Sequence, residues 1–463
     1  MTKPTRYFFC GIGGSGMLPL ALILLDQGHT IEGSDRSLDQ GRTPAKFDYL
    51  RSKGIRLFPQ DGSGVTSPEQ VVVASAAVED TVPDIAAALR AGAKRMSRAD
   101  MLSALFNAAQ FAIGVAGTSG KSTVTGMIAW ILHHAGKSPT VMNGAVMKNF
   151  RTPEALFSSS LVGTSGIFVS EVDESDGSIA AYNPRVAVLM NIALDHKTMD
   201  ELRALFGGFA ARAQDVVLNL DNPETARLAA KFPAAITYSL EREDAHLTAW
   251  AIAPAPTSIS FSVHDQKTGE SVIVRMGIPG RHNVSNALAA IAAVRTCGVT
   301  LAEAAAALHE FSGIARRFDI VGTANGVTVI DDFGHNPDKI AATLRTVNQF
   351  PGRVLVMFQP HGFGPIKKMR REFAECFADN LKPEDILLMP EPAYFGGTVD
   401  RSVGSADLAA DIRALGKSAE ALGDRAACGA RLVELVRPGD RILVMGARDD
   451  TLTLFAQELL TRL

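Results

Sequence analysis

The sequence is poor in cysteine: Cys10, Cys297, Cys376 and Cys428 are the only four in 463 residues, and none stands in CxxC spacing. That excludes a disulfide-framed scaffold and a cysteine zinc site, and it points to a reducing compartment. Charge of one sign is also lacking, since 46 Lys+Arg face 49 Asp+Glu for a net charge of −3. The global basic footprint of a nucleic-acid binder is therefore missing, and a small-molecule partner is expected. No apolar run approaches the roughly 18 residues of a membrane span. The one stretch that imitates a signal peptide, Lys3 and Arg6 ahead of residues 17–25, is interrupted by Gly11, Gly13, Gly14 and Gly16 and has no Ala-x-Ala spacing after it. No membrane partner and a cytoplasmic location are the expectation.

What the chain does have is length and alternation. At roughly 150 residues per domain, its length suggests about three domains. Residues 7–10 read as a strand, 11–16 as a glycine turn, 17–27 as a helix ended by Gly28, and 30–35 as a second strand, which together make a βαβ unit. A strand at 70–74 and a helix at 82–92 continue the pattern. The next segment reads as a strand over 106–114, a second glycine turn, a helix over 123–134, strands over 166–170 and 185–191, and an Ala-rich helix over 283–296. Between them, 233–275 reads as a β insertion or appended antiparallel strands. Strands over 327–330, 353–358, 385–389 and 441–445 alternate with helices in the last segment. The predicted class is α/β: a Rossmann-like domain over 1–105, a central P-loop ATPase-like domain with a parallel sheet over 106–314, and a C-terminal Rossmann-like domain over 315–463. The pattern carries no signal for an oligomeric state.

The strongest local signal is Gly117-Thr118-Ser119-Gly120-Lys121-Ser122-Thr123 between a strand and a helix. Backbone N–H groups of such a turn and the helix N-terminus hold polyphosphate oxygens, Lys121 adds a point charge, and Ser122 offers a hydroxyl to Mg2+. The spacing is shorter than GxxxxGK[ST], and an incidental glycine turn is the bland alternative. Glu171-Val172-Asp173-Glu174-Ser175-Asp176 follows a predicted buried strand. Four carboxylates in six residues are either an acidic surface loop or hard oxygen ligands beside phosphate. Asn191, Asp195 and His196, after another strand, favour the metal reading. Gly11-Ile12-Gly13-Gly14-Ser15-Gly16, with Asp35 about 20 residues further on, fits the dinucleotide fingerprint. Alone it suggests an NAD-linked oxidoreductase, which leaves the second phosphate turn and the acidic block unexplained; a non-catalytic nucleotide-binding regulator is a further alternative.

Taken in order, GIGGSGM with SDRS, ASAAV, RADML, VAGTSGKST, EVDESD, NIALDH, GRHNVSNALAA, ARRFD, DDFGHNP and FQPHGF resemble the Mur ligase family, the ATP-dependent amide-forming enzymes of cell-wall peptide assembly. The nearest pattern within it is the branch that joins L-alanine to UDP-N-acetylmuramate. The resemblance implies that Gly11, Gly13, Gly14, Ser15, Gly16, Asp35 and Ser75 bind the UDP substrate, and that Gly117 to Thr123, Asn283, Asn286, Arg317 and Asp332 bind ATP. It implies Mg2+ on Ser122, Glu171 and His196, and it places Lys121, Glu171, His196, Arg317 and His335 at the reaction centre. His361 would line the amino-acid pocket. The chain departs from that branch at Ser119, commonly His, and at Gly362, usually Arg. Arg401 or Arg448 is expected to supply the missing guanidinium. A paralogue using another amino acid, peptide or carboxylate is the neighbouring alternative, including one that recycles murein peptide.

Overall fold

The computed structural model describes residues 4–75, 78–194, 197–394, 400–447, 449 and 451–463. Two compact units form: one comprises 1–253, 260–277 and 283–314, the other 254–259, 278–282 and 315–463.

The first unit opens with β1 (Arg6–Cys10), β2 (Thr30–Ser34), β3 (Arg56–Phe58), β4 (Gln70–Ala74) and β5 (Lys94–Ser97), all paired in parallel in the order β3-β2-β1-β4-β5. This order reverses direction at β1/β4, so the loops at their C-terminal ends flank a natural ligand crevice. Beside β4 and β5 a cavity of about 460 Å³ is lined by Ala74, Ser75, Arg95, Met96 and Ser97 among others.

The same unit carries β6 (Phe111–Ala116), β7 (Thr140–Met142), β8 (Ser160–Leu161), β9 (Ile167–Glu171), β10 (Val186–Leu189), β11 (Asp215–Asn219), β12 (Ile236–Ser239), β13 (Leu247–Ala255), β14 (Ser258–Asp265) and β15 (Glu270–Met276). They form one ten-stranded sheet in the order β15-β14-β13-β12-β11-β10-β6-β9-β7-β8. β6 is central and lies parallel to both β10 and β9, so three strand ends converge on the second glycine turn. Gly114 within β6 is required by packing, because a Cβ there would come within 2.7 Å of the Phe209 ring. One buried cluster runs from Phe9 and Leu18 through Phe106 and Phe168 to Leu189 and Phe209, and so spans both sheets of this unit.

In the second unit β16 (Asp319–Ala324), β17 (Val327–Asp332), β18 (Val354–Gln359), β19 (Ile386–Met389), β20 (Ser418–Ala421) and β21 (Arg441–Gly446) are ordered β16-β17-β21-β18-β19-β20. Along β18, Val354, Val356 and Phe358 enter one core cluster while Leu355 and Met357 enter another. That period of two, apolar on both sides, marks a sheet covered on both faces.

Three details differ from the sequence reading. Phe106 does not start a strand; it belongs to the helix Arg98–Asn107, which Ser97 caps by accepting a hydrogen bond from the Asp100 N–H at 3.0 Å. A short apolar run is ambiguous between a buried helix turn and a strand, and here the cap decides it. β12 pairs in parallel with β11 and β13, so it extends the sheet and is not part of an antiparallel add-on. The central sheet is not purely parallel, since β8 runs antiparallel to β7; the last sheet likewise carries β16 antiparallel to β17. All four cysteines are free thiols; burial, with the neighbouring Asp84, pushes Cys10 up to about 12, which leaves it protonated and inert.

Candidate active site

The first glycine turn leaves β1 with Gly11 at φ 82° and enters the helix Met17–Asp26 after Gly16. Gly11 and Ile12 donate N–H bonds to the Ser34 carbonyl, both at 2.9 Å. Asp35 closes the turn: its carboxylate accepts from the Gly13 N–H and the Ser37 N–H, each at 2.8 Å. A Cβ on Gly13 would lie 2.9 Å from that carboxylate, so glycine is needed for the approach. Lys46, buried beneath, donates to the Gly13 carbonyl at 3.0 Å. Ser15 at the tip is exposed, and Ser75 follows β4 at the cavity wall.

The second turn leaves β6 through Gly117 (φ 148°) and Gly120 (φ 90°) into the helix Lys121–His134. Asn191, beyond β10, braces it: Thr118 N–H donates to the Asn191 carbonyl at 3.1 Å, Ser119 N–H to its side-chain oxygen at 2.9 Å, and the Asn191 amide donates to the Ser119 carbonyl at 3.0 Å. Thr118 Oγ1 reaches the Ala193 carbonyl at 3.2 Å. Asn286 packs over Gly120, where a Cβ would lie 2.8 Å from its Oδ1, and donates to Asn283 Oδ1 at 3.1 Å. Thr123 is buried one position beyond Ser122 in the first helical turn.

Charge gathers at this helix start. Lys121 Nζ donates to the Gly117 carbonyl and to Glu174 Oε2, both at 2.8 Å. Burial alone lowers the lysine's pKa, but Glu174, Asp173 and Glu171 outweigh it and hold it above the ordinary lysine value. Ser122 Oγ donates to Glu171 Oε2 at 2.8 Å. Asn143 donates to the Ser122 carbonyl at 2.9 Å. Glu171 Oε1 lies against Gly144, in space a Cβ would occupy. Asp173 is half-buried, yet Lys121, its bonds with Ser175, and Arg98 outweigh that burial and hold its carboxyl below the usual range.

Arg317, Asp332 and His335 come together in the second unit. Asp332, at the end of β17, accepts from Phe318 N–H and Gly334 N–H at 2.8 Å each and from Thr343 Oγ1 at 3.0 Å. The Arg317 guanidinium lies 4.2 Å from the Phe333 ring centroid, and His335 meets the same ring edge-on at 5.4 Å. His361 follows β18 and bridges to Ala393. Arg401 lies 5.5 Å from the ring centroids of both Phe363 and Tyr394. Gly362 itself has φ 79°, a conformation that a side chain there would strain. His196 and Arg448 lie outside the described residues.

The structure thus gathers Gly117 to Thr123, Glu171, Asn283 and Asn286 at one place. Sequence reasoning missed Asn191 as a brace, Lys46 and Arg98, and it singled out Glu174 without its partner Lys121, because all these partners are distant along the chain. Among the described residues no group of three His, Cys, Asp or Glu gathers as a metal site. Ser122 Oγ and the Glu171 carboxylate nonetheless form a pair of hard oxygen donors suited to Mg2+, with a glycine cradle behind the carboxylate. No helix among the described residues is long and apolar enough to cross a membrane.

Comparison with known proteins identifies the family. The "Mur ligase family, catalytic domain" model matches residues 6–110, the "Mur ligase middle domain" 115–294, and the "Mur ligase, glutamate ligase domain" 316–448. A UDP-N-acetylmuramate–L-alanine ligase of Synechococcus sp. (strain JA-3-3Ab) is 35% identical over 451 residues, 96% of this chain and 84% of that one. The solved UDP-N-acetylmuramate–alanine ligase of Thermotoga maritima superposes with a TM-score of 0.79 at 26% identity, covering 99% of this chain and 98% of the other. A murein peptide ligase from Psychrobacter arcticus gives 0.71 at 26% identity, with the same coverage. Matched along nearly its whole length, and built around a lysine-bearing glycine turn, the chain belongs to the Mur ligase family of ATP-dependent, ADP-forming amide ligases.

Proposed function

We propose that the protein joins L-alanine to the carboxylate of UDP-N-acetylmuramate through an acyl phosphate. The observation that carries the catalytic part is the second glycine turn, where Lys121 and the Ser122–Glu171 pair stand at one helix N-terminus. In this reading residues 1–105 hold the UDP portion, 106–314 the ATP and 315–463 the incoming amine, in the cytoplasm where both nucleotides are supplied.

The acceptor carboxylate oxygen attacks the γ-phosphorus and ADP leaves. The amine then attacks the acyl carbon, and the tetrahedral intermediate collapses by expelling phosphate with the original carboxylate oxygen. Negative charge accumulates on phosphate in the first step and on the acyl oxygen in the second, so fixed cations and dipoles matter more than a nucleophilic side chain. Lys121 and the helix N-terminus supply them. Arg317, Asp332 and His335 are assigned to the nucleotide and reaction centre from the second unit, and His361 and Arg401 to the amino-acid pocket. Ser122 and Glu171, with His196, would hold Mg2+, which when bound neutralises phosphate charge.

A second reading shares the acceptor and places a peptide in the amine site. The likeness to the murein peptide ligase supports it, as does Gly362, which offers no side chain for a free amino acid's carboxylate. The deciding experiment is phosphate release from ATP with UDP-N-acetylmuramate and a panel of amines. Release that requires both the acceptor and L-alanine is expected. Release only with an L-alanyl peptide moves the assignment to the second reading, and nucleotide binding without turnover on any acceptor overturns both.

A further inference from the structure

The acidic loop between β9 and residue 178 is held at two points by cations. At its middle, Glu174, 5% exposed, takes one N–H of Lys121 at 2.8 Å. At its far end, Asp176 Oδ2 lies 3.6 Å from Arg98 Nη2. Internal bonds stiffen what lies between: Asp173 accepts from Ser175 N–H at 3.0 Å, the Glu174 carbonyl from Gly177 N–H at 3.1 Å, Asp176 from Ser178 N–H at 2.8 Å, and the Asp173 carbonyl from Ser178 Oγ at 3.3 Å. A displacement at Asp176 therefore carries to Glu174 and is not absorbed by a slack loop.

Arg98 has a second neighbour. It begins the helix Arg98–Asn107, and its stem lies against the first glycine turn: a Cβ on Gly16 would come within 3.0 Å of its Cδ and 3.3 Å of its Nη1. One side chain thus rests on the first turn and pairs with the loop that fixes the lysine of the second. Two of the three Lys121 N–H bonds are engaged among the described residues, by Gly117 and Glu174. Their directions determine where the third points.

We propose that Arg98 is a positioning residue for ATP: held against Gly16 and paired with Asp176, it fixes the acidic loop so that Glu174 keeps Lys121 aimed at the phosphates. The inference rests on the ATP site proposed above. It concerns no contact between Arg98 and nucleotide.

The test is calorimetric binding of AMP-PNP with Mg2+ to the full chain, with KM values for all three substrates alongside. The Arg98–Asp176 pair is partly exposed, so its loss is worth about fivefold; Arg98→Ala and Asp176→Asn should each weaken AMP-PNP by about that factor and raise the ATP KM. Arg98→Lys, which keeps the charge, should restore most of the affinity. Glu174→Gln should weaken binding more, by about tenfold, and adding Arg98→Ala to it should cause little further loss, because both act through one route. If Arg98→Ala unfolds the chain, Asp176→Asn carries the same test from the loop side. Unchanged AMP-PNP affinity in the Arg98 and Asp176 variants, a rise confined to the acceptor KM, or full additivity with Glu174→Gln would overturn the proposal. Wild-type protein that fails to bind AMP-PNP, or Lys121→Ala that binds it as tightly as wild type, would overturn the ATP site as well.

Discussion

The two glycine turns are built alike and equipped differently. Each leaves a central parallel strand, uses a glycine at positive φ, and delivers its last glycine to a helix. In the first, charged groups hold the turn itself: Asp35 takes Gly13 N–H, Lys46 takes Gly13 O, and the helix that follows begins with Met17. In the second, a neutral amide, Asn191, replaces the carboxylate as brace, Lys121 donates to the Gly117 carbonyl, and that lysine opens the helix together with Ser122. A glycine pattern therefore specifies backbone that approaches phosphate closely, while the residues after the last glycine specify whether charge is available for chemistry. In the proposed function the first turn would hold the substrate and the second would stabilise phosphoryl transfer.

Three substitutions test that contrast, from the largest effect to the smallest. Lys121→Ala should lower kcat/KM for ATP on the order of a thousandfold, measured by phosphate release, while leaving UDP binding at the first turn unchanged. Loss of both would show that the turns do not have separate tasks. Gly120→Ala forces an L residue into φ 90° and brings its Cβ within 2.8 Å of Asn286 Oδ1; with about 1–2 kcal/mol for the conformation alone, AMP-PNP should bind at least about tenfold more weakly. Asp35→Ala removes a helix cap and leaves the Gly13 N–H without its partner, a cost of about 2 kcal/mol. It should lower the thermal midpoint by a few degrees and weaken UDP binding, with AMP-PNP affinity intact. A fall in AMP-PNP affinity would mean that Asp35 serves more than its own turn.

How much of this was legible in the sequence follows from the range of each interaction. Strand–glycine–helix order depends on neighbours in the chain, and both turns stand where their glycines place them. Buried strands such as Gln70–Ala74 and Ile386–Met389 lie within a residue of their expected positions, since an apolar run bounded by polar residues is a local signal. Phe106 fell on the wrong side of a helix end because burial looks the same in a helix turn and a strand. The partners within the site were not readable: Asn191 lies 72 residues from Ser119, and Glu174 lies 53 from Lys121. No spacing rule reaches that far. Within the acidic block, type alone could not separate Glu171, beside Ser122, from Glu174, beside Lys121, or from Asp176, beside Arg98.

The central claim, that phosphate is transferred to the acceptor carboxylate before the amide forms, is tested most directly by oxygen tracing. UDP-N-acetylmuramate labelled with 18O in its carboxylate is turned over with ATP and L-alanine, and the released phosphate is analysed by mass. The account predicts one 18O in each phosphate formed, carried over when the amine expels the acyl phosphate's bridging oxygen. Amide product accompanied by unlabelled phosphate would contradict it.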